Sequence, residues 1–434
     1  MAIKREDKYI IDKNQEVSLG KASSWKFKIL KAFPAFKYRN YRLFFYGQLI
    51  SLTGTWLQIV ALGWLVLKLT NSAFWVGTVA ALGMLPILIF GVFAGVVVDR
   101  FNKKFLLYLT QVFPMIFALT LGVLTILNVI NLTEIIILAF LAGVVSALDN
   151  PARQAFVVDM VEKKDLASAI ALNSVTFNAS RVIGPGMAGF LISIIGLGGT
   201  FIVNGLSFIA VIIALFFIHA KKHALSLHPH PLAALKEGIS YSITHPAIKE
   251  LLLLSIVTSI FGWSYTTLLP VIVQNIYNKD ASVLGFLYSS IGLGALFAAY
   301  IVSVYAKKIK PLDLIILGNL IFIISVFFFT FTKSYIIAVP ILFMAGLGLI
   351  TQFSMINTTI QHIVADKIRG RVMSIYILTV LGMFPIGNFQ IGILAQHFGS
   401  YFAIRFGIIV VFIFSLIMIF RRNKIGKKID QSFI

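Results

Sequence analysis

The sequence predicts an all-α integral membrane protein whose twelve transmembrane helices form two six-helix bundles related by pseudo-two-fold symmetry. Three observations predict this fold. Of the 434 residues, 59% are apolar and only 12% are charged, whereas soluble domains are about 25% charged. Apolar blocks long enough to cross a bilayer recur along the chain, and a polar pattern repeats at a fixed offset. This composition excludes an ordinary soluble enzyme and a disordered chain.

The apolar blocks are the elements of the prediction. A stretch of about 18 or more apolar residues is typical of a transmembrane helix, and only helices or closed barrels satisfy the backbone within hydrocarbon. The predicted spans are 43–67, 74–98, 105–127, 134–155, 168–194, 199–219, 250–275, 282–305, 312–331, 335–357, 372–396 and 400–420.

The basic residues indicate how these spans are oriented. Of the 37 lysines and arginines, 32 lie on one side of the predicted spans, and the opposite loops contain Lys68, Lys279 and Lys333. By the positive-inside rule, both termini are expected in the cytoplasm. The net charge of +21 then reflects contact with the lipid bilayer, and no nucleic-acid partner is expected.

A repeated pattern divides the chain into two halves. Trp56 and Trp263 are 207 positions apart, and a second set of residues shares this offset. We therefore expect a cytoplasmic tail (1–40), a first bundle (41–219), a cytoplasmic connector (220–249), a second bundle (250–420) and a C-terminal tail (421–434). Parallel repeats around a central site are typical of transporters. The second set is Asn150, Gln154 and Asp159, matched by Asn357, Gln361 and Asp366.

The connector is rich in histidine. Such tracts can bind metal, but a solvated linker is the simpler interpretation, so no metal site and no cofactor are expected. The chain contains no cysteine, which excludes thiol chemistry and disulfides. The histidines are His219, His223, His228 and His230.

The loop after the second span combines an acid with basic residues. Asp99 is followed by Arg100, Lys103 and Lys104. An acid near a helix C-terminus is disfavoured by the helix dipole, so Asp99 needs a partner such as Arg100 or Arg153. A charge cluster that forms in one state would bias a two-state equilibrium and act as a gate. The alternative is a simple interfacial anchor.

This loop resembles the G-x-x-x-D-R-x-G-R-K signature of the major facilitator superfamily, with Asn102 where the family usually has glycine. The segments 149–156 and 369–374 look like the branch that contains the enterobactin exporter, macrolide efflux pumps and transmembrane secretion effectors. The resemblance implies alternating access between two bundles in a bacterial cytoplasmic (inner) membrane. It also implies export of a siderophore-like or drug-like small molecule by proton-driven antiport, with a monomer as the expected form.

The fifth span contains Gly184, Pro185 and Gly189. Proline removes a helix hydrogen bond and glycine permits close helix approach, so a bend with tight packing is expected. The segment resembles the G-P-x-x-G-G antiporter motif, although Ala188 replaces one glycine. An ordinary kinked helix is the alternative.

Charge within the spans is rare, and Arg181 is the main example. A buried arginine in a membrane is a functional hypothesis by default. Three roles remain open for it: an ion pair with Asp149, binding of an anionic substrate through the guanidinium fork, or snorkelling to the interface if the fifth span begins later. No acid can be placed in the middle of a span, so proton coupling depends on the resemblance.

Polar and aromatic residues in the predicted cavity-lining spans are candidates for substrate binding. They favour a bulky, partly apolar, neutral or anionic ligand, and the alternative for each is an interhelical hydrogen bond. A lysophospholipid flippase-type facilitator is the rival function, and no enzymatic motif is visible. The candidates are Gln48, Trp56, Gln58, Trp263, Tyr265, Asn357, Asn388 and Gln390.

Overall fold

A computed structural model describes residues 32–219, 231–306 and 308–421. Most of the predicted tails and part of the connector, with His223, His228 and His230, lie outside the described residues. The side chains of 92, 96, 99, 231–234 and 367 also lie outside the description. Asp99 is therefore described as part of a helix, but its side chain is not.

The first half contains four long helices followed by one interrupted helix. Three of the starts are fixed by side-chain caps, which accept hydrogen bonds from otherwise unsatisfied N–H groups. The capping residues are Ser72, Asn102 and Asn131, the last in a capping box with Glu134. The helices are α1 (Arg39–Thr70), α2 (Ala73–Arg100), α3 (Lys103–Ile126) and α4 (Leu132–Met160).

The helical segment Leu166–Phe217 is too long for a single crossing. Its 52 residues would extend about 78 Å at 1.5 Å per residue, whereas the hydrocarbon core is about 30 Å thick. Gly196 interrupts it with φ +72° and ψ 179°, a conformation that glycine adopts readily. The segment is therefore two helices, α5 (166–195) and α6 (197–217). The eleven apolar helical stretches of the described chain thus make twelve crossings, as predicted.

The second half begins with a helix inside the predicted connector, α7 (Pro231–Thr244). The seventh span is irregular in its middle: α8 (Pro246–Val257) continues through a π turn (Thr258–Gly262) and a 3-10 segment (Trp263–Leu268) into α9 (Leu269–Asn275). Such irregular turns often occur at functional sites. The remaining helices are α10 (Ala281–Tyr305), α11 (Pro311–Phe329), α12 (Tyr335–Ile363), α13 (Asp366–Val380), α14 (Phe384–Phe398) and α15 (Ser400–Phe420).

Helices pack in corresponding ways within the two halves. In the first half α2 packs on α4, and α1 packs on the α5–α6 segment. In the second half α10 packs on α12, and the seventh span packs on α14 and α15. Six positions separate each helix from its counterpart in span order, which is the pseudo-two-fold relation of the major facilitator fold.

The molecule has two ends of different composition. One end, which we call the basic end, carries the start of α1 and the loops 101–102, 161–165, 306–310 and 364–365. We call the opposite end the far end. The halves meet mainly through α2 with α14 and α5 with α10. At the basic end, the described residues of the two halves make contact between α2 and the helices α7 and α13.

Glycines allow the two halves to approach closely in the far-end part of this interface. A Cβ atom at Gly77 of α2 would lie 2.7 Å from the Cα atom of Gly392 of α14. A Cβ atom at Gly285 of α10 would lie 3.3 Å from the Cα atom of Gly189 of α5. These two glycine pairs join the halves on opposite sides of the pseudo-two-fold axis.

Candidate functional site

Arg181 lies deep in the fifth span. It is fifteen residues beyond the start of α5 at Leu166, about 22 Å along the helix at 1.5 Å per residue. The residue is only 8% exposed. One of the three roles was that the span begins after Arg181, so that the Arg181 side chain snorkels to the interface. This role is wrong, because α5 begins at Leu166.

Two tryptophans, one from each half, flank the Arg181 side chain. The guanidinium carbon lies 5.7 Å from the ring centre of Trp56 and 5.4 Å from that of Trp263. Both distances are within the range of a cation–π interaction, which strengthens to about 2 kcal/mol when water is excluded. We call Arg181, Trp56 and Trp263 the arginine clamp.

Further aromatic rings surround the clamp. Phe177 contacts Trp56 edge-on at 5.7 Å between ring centres. On the other side, Phe384 contacts Trp263 at 4.6 Å and Phe353 contacts it at 5.4 Å. Phe177 lies about one helical turn closer to the basic end and is 42% exposed. The rings thus form an aromatic site around one buried positive charge.

Arg181 does not form the ion pair with Asp149 that we considered. Within the described residues, Asp149 pairs with Arg153 instead, and Arg181 has neither a salt bridge nor a hydrogen bond from its side chain. Arg405, which also lies in a span, donates hydrogen bonds of 2.9 Å to the hydroxyl and carbonyl oxygens of Thr330. Arg181 therefore differs from both Arg153 and Arg405, because it contacts rings and no acceptor.

Asp149 is the centre of a buried network in the first half. Gln111 and Thr110 of α3 each donate to Asp149 Oδ1 at 2.7 Å, and Arg153 donates to Oδ2. Ser51 of α1 extends the network by donating to Gln111 Oε1. We call these five residues the charged network. It joins α1, α3 and α4, and sequence reasoning missed Thr110 and Gln111.

The predicted gating cluster at the basic end is only partly assembled. Lys103 Nζ lies 3.0 Å from Asp159 Oδ2, an acid that we had noted as part of the repeat and not as a gating residue. Lys104 donates to the carbonyl oxygen of Ile218. Arg100 is exposed. Arg153 lies in the charged network, so it does not take part in a loop cluster here.

Tyr265 and Gln48 are two of the predicted substrate-binding residues, and both are buried. Among the described residues, their polar side-chain atoms have no hydrogen-bond partner. Tyr265 is 1% exposed and packs against Phe322 and Phe329, yet its hydroxyl lacks a partner. Gln48 is 2% exposed, and neither its Oε1 nor its Nε2 is paired. Because a buried, unpaired polar group is costly, both remain candidates for contact with a ligand.

Three other candidates form interhelical or intrahelical hydrogen bonds. Gln58 accepts from Asn204 of α6, Asn388 accepts from Thr267 at 2.8 Å, and Asn357 accepts from Gln361 one turn along α12. These contacts correspond to the alternative that we kept open for each residue. The structure does not bring these three residues to the arginine clamp.

Gln390 lines a different space. It faces a groove of about 470 Å³ between α2 and α14, lined mainly by apolar side chains. Phe384, which contacts Trp263, is six residues earlier on the helix and does not line this groove. Gln390 is therefore separate from the aromatic site. The other lining residues are Thr78, Ala81, Leu82, Leu85, Pro385, Ile386, Phe389, Ile393 and Leu394.

The Gly184–Gly189 segment is a close-packing region. A Cβ atom at Gly184 would lie 2.6 Å from Cβ of Trp56, and one at Gly189 would lie 2.8 Å from the Ala281 carbonyl oxygen. Gly184 thus seats Trp56 against α5, beside Arg181. The backbone stays helical at Pro185, and the non-helical residue of this segment is Gly196.

The second half contains a neutral counterpart of the charged network. Asn319 of α11 donates to Gln352 Oε1 at 2.9 Å, and Gln352 of α12 donates to Thr258 at 3.0 Å. Ser415 of α15 donates to Asn319. Thr258 is 207 positions after Ser51, so both networks begin at equivalent places. We call these four residues the neutral network.

Among the described residues, no group of three or more histidines and acids could hold a metal ion. His219, the described member of the connector histidines, accepts a hydrogen bond from Asn40 through its carbonyl oxygen.

Comparison with known proteins places the chain in a family. The model of the transmembrane secretion effectors matches residues 31–432. The chain belongs to the transmembrane secretion effector family. This family lies within the major facilitator superfamily, so the protein is a multi-pass membrane transporter of small molecules and not an enzyme.

Two named transport proteins are similar to this chain over most of its length. The staphyloferrin A transporter of Staphylococcus aureus is 27% identical over 394 residues, which cover 90% of this chain and 98% of the relative. The enterobactin exporter EntS of Escherichia coli O1:K1 is 24% identical over 353 residues, covering 80% and 83%.

Solved structures support the fold of this secretion effector. A bacterial homologue of the human lysosomal transporter Spinster, in an inward-facing and unoccupied conformation, has a TM-score of 0.73 at 14% identity and covers 91% of this chain and 98% of its own. A D-xylose–proton symporter has a TM-score of 0.68 at 13% identity, covering 87% and 97%.

Proposed function

We propose that the protein exports a siderophore-like small molecule across the bacterial cytoplasmic membrane by alternating access. The likeness to the staphyloferrin A transporter, which extends over nearly the whole of both chains, carries this proposal. The aromatic site around Arg181 supports it, because a bulky and partly apolar ligand needs ring surfaces as well as a polar anchor. The two bundles, 41–219 and 250–420, are the moving units, and a monomer suffices because the site lies between them.

The contacts between the halves are consistent with a conformation that opens to the cytoplasm. The positive-inside rule makes the basic end cytoplasmic, with both termini on that side. The halves are held together in the far-end part by α2 with α14 and α5 with α10. Exposed Phe177 lies between the clamp and the basic end. Substrate would enter from the cytoplasm and leave after the far end opens.

Proton-driven antiport is the coupling that we propose, with Asp149 as the proton-carrying group. The Asp149 side chain is 12% exposed, and its carboxylate accepts three hydrogen bonds in the charged network, one fewer than the roughly four that a carboxylate can accept. A carboxylate buried beside an arginine can exchange a proton when the pair opens.

Asp99 at the cytoplasmic end of α2 would favour one state of the gate. Asp99→Asn is therefore expected to lower export several-fold without loss of folding.

The experiment compares a deletion strain with strains carrying the wild-type gene or an Asp99→Asn copy. Mass spectrometry of spent medium, after growth under iron limitation, should show a siderophore-class compound that is reduced in the deletion strain and restored by the wild-type gene. Collapse of the proton gradient should abolish its export from cells. Unchanged medium in the deletion strain would contradict the proposal, and flipping of lysophospholipid by purified protein in vesicles without a gradient would favour the flippase alternative.

A further inference from the structure

The arginine clamp contains a positive charge without an anionic partner. Arg153 and Arg405, which are also described within the spans, each bond to an oxygen atom of another residue. Arg181 is 8% exposed, so little water reaches it from the surrounding protein. Each cation–π contact contributes about 2 kcal/mol when desolvated, whereas burying an ion costs several kcal/mol and is best offset by an opposite charge with hydrogen bonds.

The surroundings of Arg181 contain unused hydrogen-bonding capacity. Tyr265, two residues after Trp263 in the chain, has a hydroxyl group that is buried without a partner among the described residues. A guanidinium presents two parallel N–H groups that match the two oxygens of a carboxylate. A phenol hydroxyl can donate to a third oxygen. The Arg181 guanidinium forms the polar part of an anion site, and the rings form its apolar part.

We propose that Arg181 is the anchor for a carboxylate group of the transported molecule, which is therefore an anionic, carboxylate-bearing compound. This inference rests on the proposed function, because it names the substrate class of the same site. Trp56 and Trp263 pack on the guanidinium and keep its fork directed at the ligand. The bound carboxylate supplies the counter-charge that the described structure does not supply.

The clamp also explains how a ligand is sensed by both bundles. Arg181 and Trp56 belong to the first half, and Trp263 belongs to the second. When the halves separate at the far end, either the contact between Trp263 and Arg181 breaks or the Arg181 side chain moves with Trp263. A carboxylate that neutralises Arg181 makes that separation less costly, since the charge is no longer held only by the rings.

The test uses the purified full-length protein in lipid nanodiscs, with citrate as a tricarboxylate probe and its neutral triamide as the matched control. Isothermal titration and tryptophan fluorescence should both report citrate binding to the wild type, whereas the triamide should bind at least tenfold more weakly. Equal binding of the two compounds, or no citrate binding to folded wild-type protein, would overturn the inference. This comparison needs no variant.

Variants then locate the site. Arg181→Gln should weaken citrate binding at least tenfold. Arg181→Lys, which keeps the charge without the fork, should weaken it less. Arg405→Gln removes another arginine of the spans and should leave binding unchanged. Citrate binding that survives Arg181→Gln would place the anion elsewhere.

Export assays separate this inference from the proposed function. If the deletion strain loses export and the Arg181→Gln protein restores it fully, the exporter proposal stands and the carboxylate anchor fails. If citrate binds through Arg181 but the deletion strain exports normally, the anion site stands and the proposed function fails.

Discussion

The charged and neutral networks occupy equivalent positions in the two halves but differ in chemistry. Both link the first helix of a half to its third and fourth helices, through Ser51 in one case and Thr258 in the other. The charged network contains Asp149 and Arg153, whereas the neutral network contains amides and hydroxyls. The neutral network shows that a buried link between these helices can be made without charges, whereas in the charged network Arg153 Nε is buried without a partner among the described residues. The difference is the reason that we look for the proposed proton coupling in the first half.

The largest expected effect comes from breaking the buried ion pair. Arg153→Leu leaves the Asp149 carboxylate in the membrane interior without its cation, which costs about 3–5 kcal/mol. Gln352→Leu in the neutral network removes hydrogen bonds only and should cost about 1–3 kcal/mol. Thermal unfolding in detergent should show a larger loss for Arg153→Leu. Equal losses would mean that the pair has no special energetic role.

A second variant tests the contact between the halves. Gly189→Ala places a Cβ atom 2.8 Å from the carbonyl oxygen of Ala281 on α10, so the far end should open at a cost of about 1–3 kcal/mol. Gly186→Ala is the matched control, since its Cβ would meet only the movable hydroxyl of Ser289 at 3.0 Å. Spin labels report the separation of the halves, and the absence of native cysteine makes labelling specific.

The expected label distance across the far end becomes longer in Gly189→Ala and stays unchanged in Gly186→Ala. Labels at Asn128→Cys and Lys333→Cys place one probe on each half. Identical distance distributions for the two alanine variants would argue against glycine packing as the determinant of this state.

A third experiment converts the charged network into a neutral one. The double variant Asp149→Asn with Arg153→Gln keeps hydrogen-bonding groups and removes both charges, so the protein should fold. Proton-driven export should fall about tenfold, equivalent to about 1.4 kcal/mol in the coupled step. Export measured in everted vesicles at fixed pH gradient checks this. Full export by the double variant would remove Asp149 from the coupling mechanism.

The smallest expected effects concern the basic end. Lys103→Gln removes the ion pair with Asp159, whose side chain is only 6% exposed, and should cost up to about 1 kcal/mol. Asp366→Asn removes an ion pair with Arg369 in which the acid side chain is 87% exposed, and should leave stability nearly unchanged. Denaturation midpoints of the two purified variants provide the comparison, and a larger loss for Asp366→Asn would reverse the ranking.

The spans were predictable because length and hydropathy alone decide whether a helix crosses a bilayer. Even the break between the fifth and sixth spans was predicted, at 195–198, where Gly196 interrupts the helix. The direction in which each polar residue points was not predictable. Lipid and protein interior are both apolar, so a transmembrane helix has no polar face that marks its outside. The hydrogen bond between Gln58 and Asn204 and the position of Gln390 in the groove between α2 and α14 could therefore not be read from the sequence.

Part of the candidate site could be predicted from the spacing of residues in the sequence. Trp56 and Trp263 share the 207-residue offset, and both contact Arg181. Asp149 and Arg153 are four residues apart, a spacing that places acid and base on one helix face, and that signal should have outweighed a pairing with Arg181. Thr110 and Gln111 gave no such signal, because their contact with Asp149 depends on how α3 packs on α4.

The far-end closure through Gly77 with Gly392 and Gly189 with Gly285 has a mechanical consequence. Backbone atoms in van der Waals contact attract through dispersion, which falls away within about 1 Å of extra separation. A barrier made in this way has no charges whose attraction would persist as the gap widens. We therefore expect the far end to open abruptly and with little dependence on ionic strength. Partly open molecules, through which ions could leak across the membrane, should then be rare.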